Sequence, residues 1–165
     1  MPDARGRLTG WLLLAAVVAA ADQLTKGLML RLLAHGEIID VAPFFKLVLV
    51  YNPGAAFSFL AEQPGWQRWF FVVLGAVICV WLIALIRRHV AETALPLAFA
   101  LIIGGAVGNI IDRVVYGAVV DFLYFHAGRY GWPAFNLADS AITVGVAIML
   151  WSQFRPNRSA KESAS

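Results

Sequence analysis

Charge is scarce in this chain: Asp, Glu, Lys and Arg make up 14% of its 165 residues, against 61% that are hydrophobic. That balance excludes a water-soluble domain, and a mean hydropathy of +0.74 excludes a disordered polar chain. Cysteine occurs once, at Cys79, which rules out an internal disulfide or a thiolate metal cluster and reads as a small buried apolar residue. The three histidines, His35, His89 and His126, are scattered, with no further histidine or carboxylate beside them at ligand spacing. Neither a metal site nor a cofactor is expected from them. Internal repeats are missing, and so is low-complexity sequence apart from the polar tail after Arg155.

What is present is a set of four apolar runs, at residues 8–30, 69–86, 94–111 and 135–154. A hydrocarbon core about 30 Å thick takes roughly 20 apolar residues per helical crossing. The expectation is therefore an integral membrane protein, mainly α, with four transmembrane helices in a single domain spanning 1–165. Arginine and lysine set the orientation, because short loops rich in them stay on the cytoplasmic side. Arg5 and Arg7 precede the first run, Arg87 and Arg88 follow the second, and Arg155, Arg158 and Lys161 follow the fourth. Both termini are thus expected in the cytoplasm, with segments 31–68 and 112–134 facing out. This asymmetry accounts for the net charge of +3, so no nucleic-acid partner is inferred. A cleavable secretory signal ending after Ala21 is a competing reading. Against it, the apolar run resumes at once in "LTKGLMLRLLA".

The outward segments carry structure of their own. "FFKLVLVYNPGAAFSFL" has two aromatic and branched runs about Asn52-Pro53-Gly54, a turn sequence. It reads as a small antiparallel sheet resting on the outer membrane face. "VVYGAVVDFLYF" is again strand-like, with Gly117 permitting a bend.

Ionisable residues at membrane depth are expensive, so each is a functional candidate. Asp22 and Lys26 lie four apart on the first helix, acid first, and share a face as an ion pair. Asn109, Asp112 and Arg113 fall at the outer end of the third helix, and the adjacency of Asp112 to Arg113 predicts a structural pair. Gly104, Gly105 and Gly108 just before them form a small-residue face for close helix packing. Asp121 and Asp139 have no basic residue within four positions. If the outer segment folds back over the helix mouths, these carboxyls can meet and share one proton. One then serves as base and the other as acid, the arrangement required to hydrolyse a peptide bond without metal or covalent nucleophile. The plainer reading makes Asp139, with Asn136, a helix N-cap. Two rivals remain: a proton-coupled carrier, which more often shows pseudo-repeats and midplane sites, and a non-enzymatic lipid-binding subunit, which would tolerate loss of both aspartates.

Four blocks, "DQLTK" at 22–26, "YNPGAAFSFL" at 51–60, "GGAVGNIIDRVVYGAVVDF" at 104–122 and "FNLADSAI" at 135–142, closely resemble the lipoprotein signal peptidase family, signal peptidase II of bacteria. The resemblance implies an aspartyl endopeptidase of the bacterial inner membrane. Such enzymes remove signal peptides from prolipoproteins, cutting before a cysteine that carries diacylglycerol. It implies Asp121 and Asp139 as the catalytic pair, and substrate contacts from Asn52, Asn109, Arg113 and Asn136, with Gly54 and Gly105 allowing close approach. Asp22, Lys26 and Asp112 would support the site. The implied partners are a lipid-modified prolipoprotein and membrane lipid, and the chain is expected to be a monomer. Residues 31–43 and 123–134 match no motif.

Overall fold

A computed structural model of the chain describes residues 3–54 and 65–154. Helix α1 spans Ala4–Leu32, and its first turn is capped by Asp3, whose side chain accepts a hydrogen bond from the Gly6 N–H at 2.6 Å. Two strands follow, β1 (Ile38–Ala42) and β2 (Phe45–Asn52). Helix α2 spans Trp66–Arg88 and closes on the basic pair Arg87-Arg88. Helix α3 (Ala94–Tyr116) has Pro96 in its first turn, where no intrahelical N–H is lost. It ends at Gly117, whose φ of 81° is the left-handed conformation that glycine adopts without penalty. Strands β3 (Val119–Ala127) and β4 (Tyr130–Gly131) lead to helix α4 (Leu137–Gln153).

Among the described residues, α1, α2 and α3 are long and apolar enough to cross a membrane. The fourth run folds shorter than the expected 135–154. Phe135 bridges to β3 and Asn136 becomes the N-cap, which leaves 17 helical residues, about 26 Å at 1.5 Å per residue. Helix α3 is the hub and packs against α1, α2 and α4. Its glycines make this possible. A Cβ on Gly105 would collide with the Ala138 carbonyl of α4, and one on Gly108 would meet the Asp22 carboxyl of α1. The core formed this way holds Ala15, Leu82, Ile86, Phe99, Ala100 and Ile103.

The third helix also runs past its expected end at residue 111, through Asp112 and Arg113 to Tyr116. Both charged side chains turn inward to partners, so they do not stop the helix. The expected pairing of these two neighbours does not form. Successive residues on a helix do not face one another. Asp112 reaches Lys26 on α1, with Nζ–Oδ2 2.7 Å, whereas Arg113 donates to the Gly54 carbonyl at 2.8 Å and lies over the Phe71 ring.

The sheet is antiparallel in the order β1-β2-β3-β4. The expected small antiparallel sheet is present, and it includes a hairpin upstream of Asn52-Pro53-Gly54, in which β2 turns back on β1 through Pro43-Phe44. The second run of that expectation, from Ala55, lies outside the described residues. On its other side β2 pairs with β3, placing Val50 opposite Asp121, with a bulge between Leu47 and Val50. Leu33, Leu49 and Val120 pack the sheet onto the end of α1. The far side of β3 is tied to the start of α4: Phe122 and Leu123 N–H donate to the Phe135 carbonyl, and Phe135 N–H donates to Leu123. This joint brings the first turn of α4 against the strand that carries Asp121.

Candidate active site

Asp121 and Asp139 line one cavity of about 1200 Å³. Its wall also includes Asn52, Gly54, Asn109 and Arg113, with Ser140 and Thr143 from α4 and an apolar lining from Val48, Trp132, Phe135, Ile142 and Val144. A second hollow on α2, between Trp69 and Val77, contains no ionisable side chain and belongs to the apolar exterior.

Each carboxyl oxygen of the pair receives one N–H. Asn136 Nδ2 donates to Asp121 Oδ1 at 2.7 Å, and Asn52 Nδ2 donates to Asp121 Oδ2 at 3.3 Å. Asn109 Nδ2 donates to Asp139 Oδ1 at 2.8 Å, and the Asn136 backbone N–H donates to Asp139 Oδ2 at 3.3 Å. Asn136 Oδ1 meanwhile accepts from the Asp139 N–H at 2.9 Å, closing a capping box. The helix-cap reading of Asp139 and its place in the cavity therefore coexist: one oxygen caps, and the other faces Asn109.

Neither carboxyl has a salt-bridge partner among the described residues. Asp121 is 3% exposed. Burial first, and then the negative charge of Asp139, push its carboxyl up to about 7, against the opposing pull of the Asn52 and Asn136 donors and of Lys26. A carboxyl of this kind holds a proton near neutrality, and its neighbour then has a proton donor beside it.

Behind the pair lies a second cluster, in which one ammonium bridges two carboxyls. Lys26 Nζ sits 2.8 Å from Asp22 Oδ2, 2.7 Å from Asp112 Oδ2 and 3.0 Å from Asn109 Oδ1. The Asp22–Lys26 pair expected from spacing is thus present, as part of a larger group. Asp22 Oδ1 accepts from the Ala138 N–H at 2.9 Å, and Asp112 Oδ2 accepts from the Val120 N–H at 3.0 Å. The cluster thereby grips the backbone one residue before each member of the pair. Gln23 completes it by donating to Asp112 Oδ1 at 2.9 Å and to the Gly108 carbonyl at 3.1 Å. Sequence reasoning passed over Gln23. Its one signal is its place beside Asp22, directly after a stretch, residues 10–21, that holds no polar side chain.

Gly54 lines the cavity, accepts from Arg113 and donates its N–H to Asn52 Oδ1 at 3.0 Å. Gly105 is set apart from the other candidates, wedged between α3 and α4 outside the cavity lining. Among the described residues no three His, Cys, Asp or Glu side chains converge as a metal site.

The profile of the family described as Signal peptidase (SPase) II matches residues 14–155. A lipoprotein signal peptidase of Azoarcus sp. (strain BH72) is 65% identical over 153 residues, covering 93% of this chain and 87% of that protein. The lipoprotein signal peptidase of Paraburkholderia phymatum is 52% identical over 158 residues, 96% of this chain and 95% of that one. Two solved bacterial membrane enzymes, both obtained by the in meso method, share the fold. One has a TM-score of 0.79 at 31% identity, covering 88% of this chain and 87% of its own, and the other 0.80 at 28%, covering 90% and 95%. A family match over residues 14–155, with relatives this similar over nearly their whole length, shows that the chain belongs to the signal peptidase II family.

Proposed function

We propose that the protein is an aspartyl endopeptidase that removes the signal peptide from diacylglyceryl-modified prolipoproteins, cleaving before the lipid-modified cysteine, with Asp121 and Asp139 as its catalytic pair. The single observation that carries this reading is the cavity that Asp121 and Asp139 both line, neither with a salt-bridge partner among the described residues and Asp121 held up to about 7. Asp139 takes a proton from a water molecule as that water attacks the scissile carbonyl. Protonated Asp121 donates a hydrogen bond to the carbonyl oxygen as negative charge develops there. On collapse of the tetrahedral intermediate the proton taken by Asp139 passes to the leaving amine, and the pair is ready again. Asn52, Gly54, Asn109, Arg113 and Asn136 border the same space and would hold the peptide. Asp22, Lys26 and Asp112 support the pair from behind. Gly105 supports it by letting α4 approach α3.

The chain is read as one membrane domain over 1–165 with four crossings, α4 being the shortest. Arg87 and Arg88 lie at the opposite end of α3 from the pair, and with Arg5 and Arg7 they favour cytoplasmic termini and an active site at the periplasmic face of the inner membrane. A bundle organised around α3 needs no second copy, which favours a monomer. In that position a diacylglyceryl group can stay in the bilayer while the neighbouring peptide bond meets water.

The test is incubation of the purified protein with a lipid-modified prolipoprotein. Release of the signal peptide, lost in Asp121→Asn and Asp139→Asn, is the expected result. Substrate that binds and stays intact would instead mark a lipid-binding subunit, and turnover that survives in either variant would remove that aspartate from the mechanism.

A further inference from the structure

The most buried cation among the described residues enters the mechanism above only as a support behind the pair. Lys26 is 1% exposed and its three ammonium hydrogens face three acceptors: Asp22 and Asp112 at 2.8 and 2.7 Å, and Asn109 Oδ1 at 3.0 Å. For two of these an ion pair is explanation enough. The third is a neutral amide whose other end touches the catalytic pair. Asn109 Oδ1 also accepts from Asn136 Nδ2 at 3.3 Å. Turning the Asn109 amide over would set its NH₂ against an ammonium and a second NH₂, donor against donor. The amide is therefore locked with Nδ2 towards Asp139 Oδ1, at 2.8 Å. Asn136 needs no such lock, because the capping box already fixes its side chain.

We infer that Lys26 is a positioning residue for the proposed proteolysis: it holds Asn109 with its N–H on Asp139, and its charge sets how the Asp121–Asp139 pair shares its proton. This inference rests on the catalytic reading of the two aspartates. Lys26 also opposes the rise of the Asp121 carboxyl to about 7. The other charged or titratable groups around the pair are Arg113 on α3, Asp22 and Asp112 in the cluster behind, and Lys46, Tyr51 and Tyr124 on the sheet wall of the cavity. None of these touches the Asn109 side-chain oxygen.

The test is the pH dependence of kcat/KM, which reports the ionisations of the free enzyme. Asp112→Asn keeps an oxygen for the Val120 N–H and removes one negative charge beside Lys26. The alkaline limb of the profile is expected to move to lower pH, by about half a unit or more, a roughly threefold change in the ionisation constant. Adding Lys26→Met to Asp112→Asn removes the cation and strands one carboxylate, Asp22, where Lys26→Met alone would strand two. It is expected to move the limb back up relative to Asp112→Asn, and to lower kcat more than it raises KM as Asn109 loses its anchor. A purely structural role predicts lower stability with the limb unmoved in both variants, and that result overturns the inference. Should the double variant fail to fold, Lys26→Arg carries the test: it keeps the cation and replaces the ammonium that anchors Asn109, so the limb is expected to stay while kcat falls more than KM rises, and an unchanged kcat in the folded variant overturns the inference. Asp121→Asn and Asp139→Asn separate the two levels. Inactive variants with an unmoved limb sink only the role of Lys26, whereas active ones sink the catalytic reading as well.

Discussion

Two pairs of aspartates lie side by side in this protein and receive opposite treatment. Asp22 and Asp112 are wholly buried, and both are bound to the Lys26 ammonium. Asp121 and Asp139 are contacted only by N–H groups of Asn52, Asn109 and Asn136. An ammonium at salt-bridge distance occupies the oxygens of a carboxyl and offsets its charge. Amide donors satisfy the oxygens without offsetting the charge, so burial first, and then a second carboxyl nearby, can hold the group protonated. Burial is common to both pairs; the neighbour separates the structural acids from the reactive ones.

The sharpest way to break this contrast is to neutralise one acid at a time. Asp121→Asn and Asp139→Asn should each reduce turnover of a lipid-modified prolipoprotein by at least about 10²- to 10⁴-fold, the usual worth of general acid or base assistance, with thermal stability nearly unchanged. The double variant should be little worse than either single one, because the pair acts as a unit. A residual rate above about a tenth in either variant would return that residue to a capping or packing role.

On the other side of the comparison, Lys26→Met should act first on folding. It strands two buried carboxylates, and losing one partner of a buried ion pair typically costs about 3–5 kcal/mol. Thermal unfolding of the detergent-extracted protein measures this, and an unchanged midpoint would mean that the cluster is not ionic.

Acidity sharpens the comparison further. Asp121 is a carboxyl pushed up to about 7, so the folded protein favours its protonated form. The stability this contributes is fully present below the ordinary carboxyl range and is lost as pH rises through about 7. Above about 7 kcat/KM should fall, approaching tenfold per pH unit, as the required proton leaves. In Asp121→Asn the loss of stability between pH 4 and about 7 should flatten, which denaturation at several pH values would reveal. A surface pair supplies the smallest effect. Asp40 and Lys46 meet at 2.8 Å with the Asp40 side chain open to solvent, and a hydrogen bond from Lys46 holds that carboxyl below its usual range. Asp40→Asn should leave the unfolding midpoint within error.

How much of this could be read from the sequence follows from how local each feature is. Asp22 and Lys26 were legible as a pair because helical spacing alone puts them together. The partner of Asp112 was not, since the nearest cation in sequence, Arg113, points elsewhere and the true one lies on another helix. Gly104, Gly105 and Gly108 announced close packing, but which helix each would admit depends on the tertiary fold. Strand β1 escaped notice because "IIDVA" is short and interrupted by Asp40, so the hairpin upstream of β2 was not foreseen. The end of α3 was drawn too early because hydropathy marks where a helix becomes polar, not where its hydrogen bonds stop. The meeting of Asp121 with Asp139 needed both the strand register and the fold-back of residues 122–135, which no short spacing encodes. The block resemblance named those two residues before geometry could.

The joint between β3 and α4 has a mechanical consequence. Three backbone hydrogen bonds link Phe122, Leu123 and Phe135. They bracket the two aspartates so closely that the strand and the helix mouth form one stiff jaw. Prying this jaw apart would break all three bonds at once and scatter the pair. The backbone itself therefore ties the strand of Asp121 to the helix of Asp139, and no side chain at the joint has to be kept for the two to stay together.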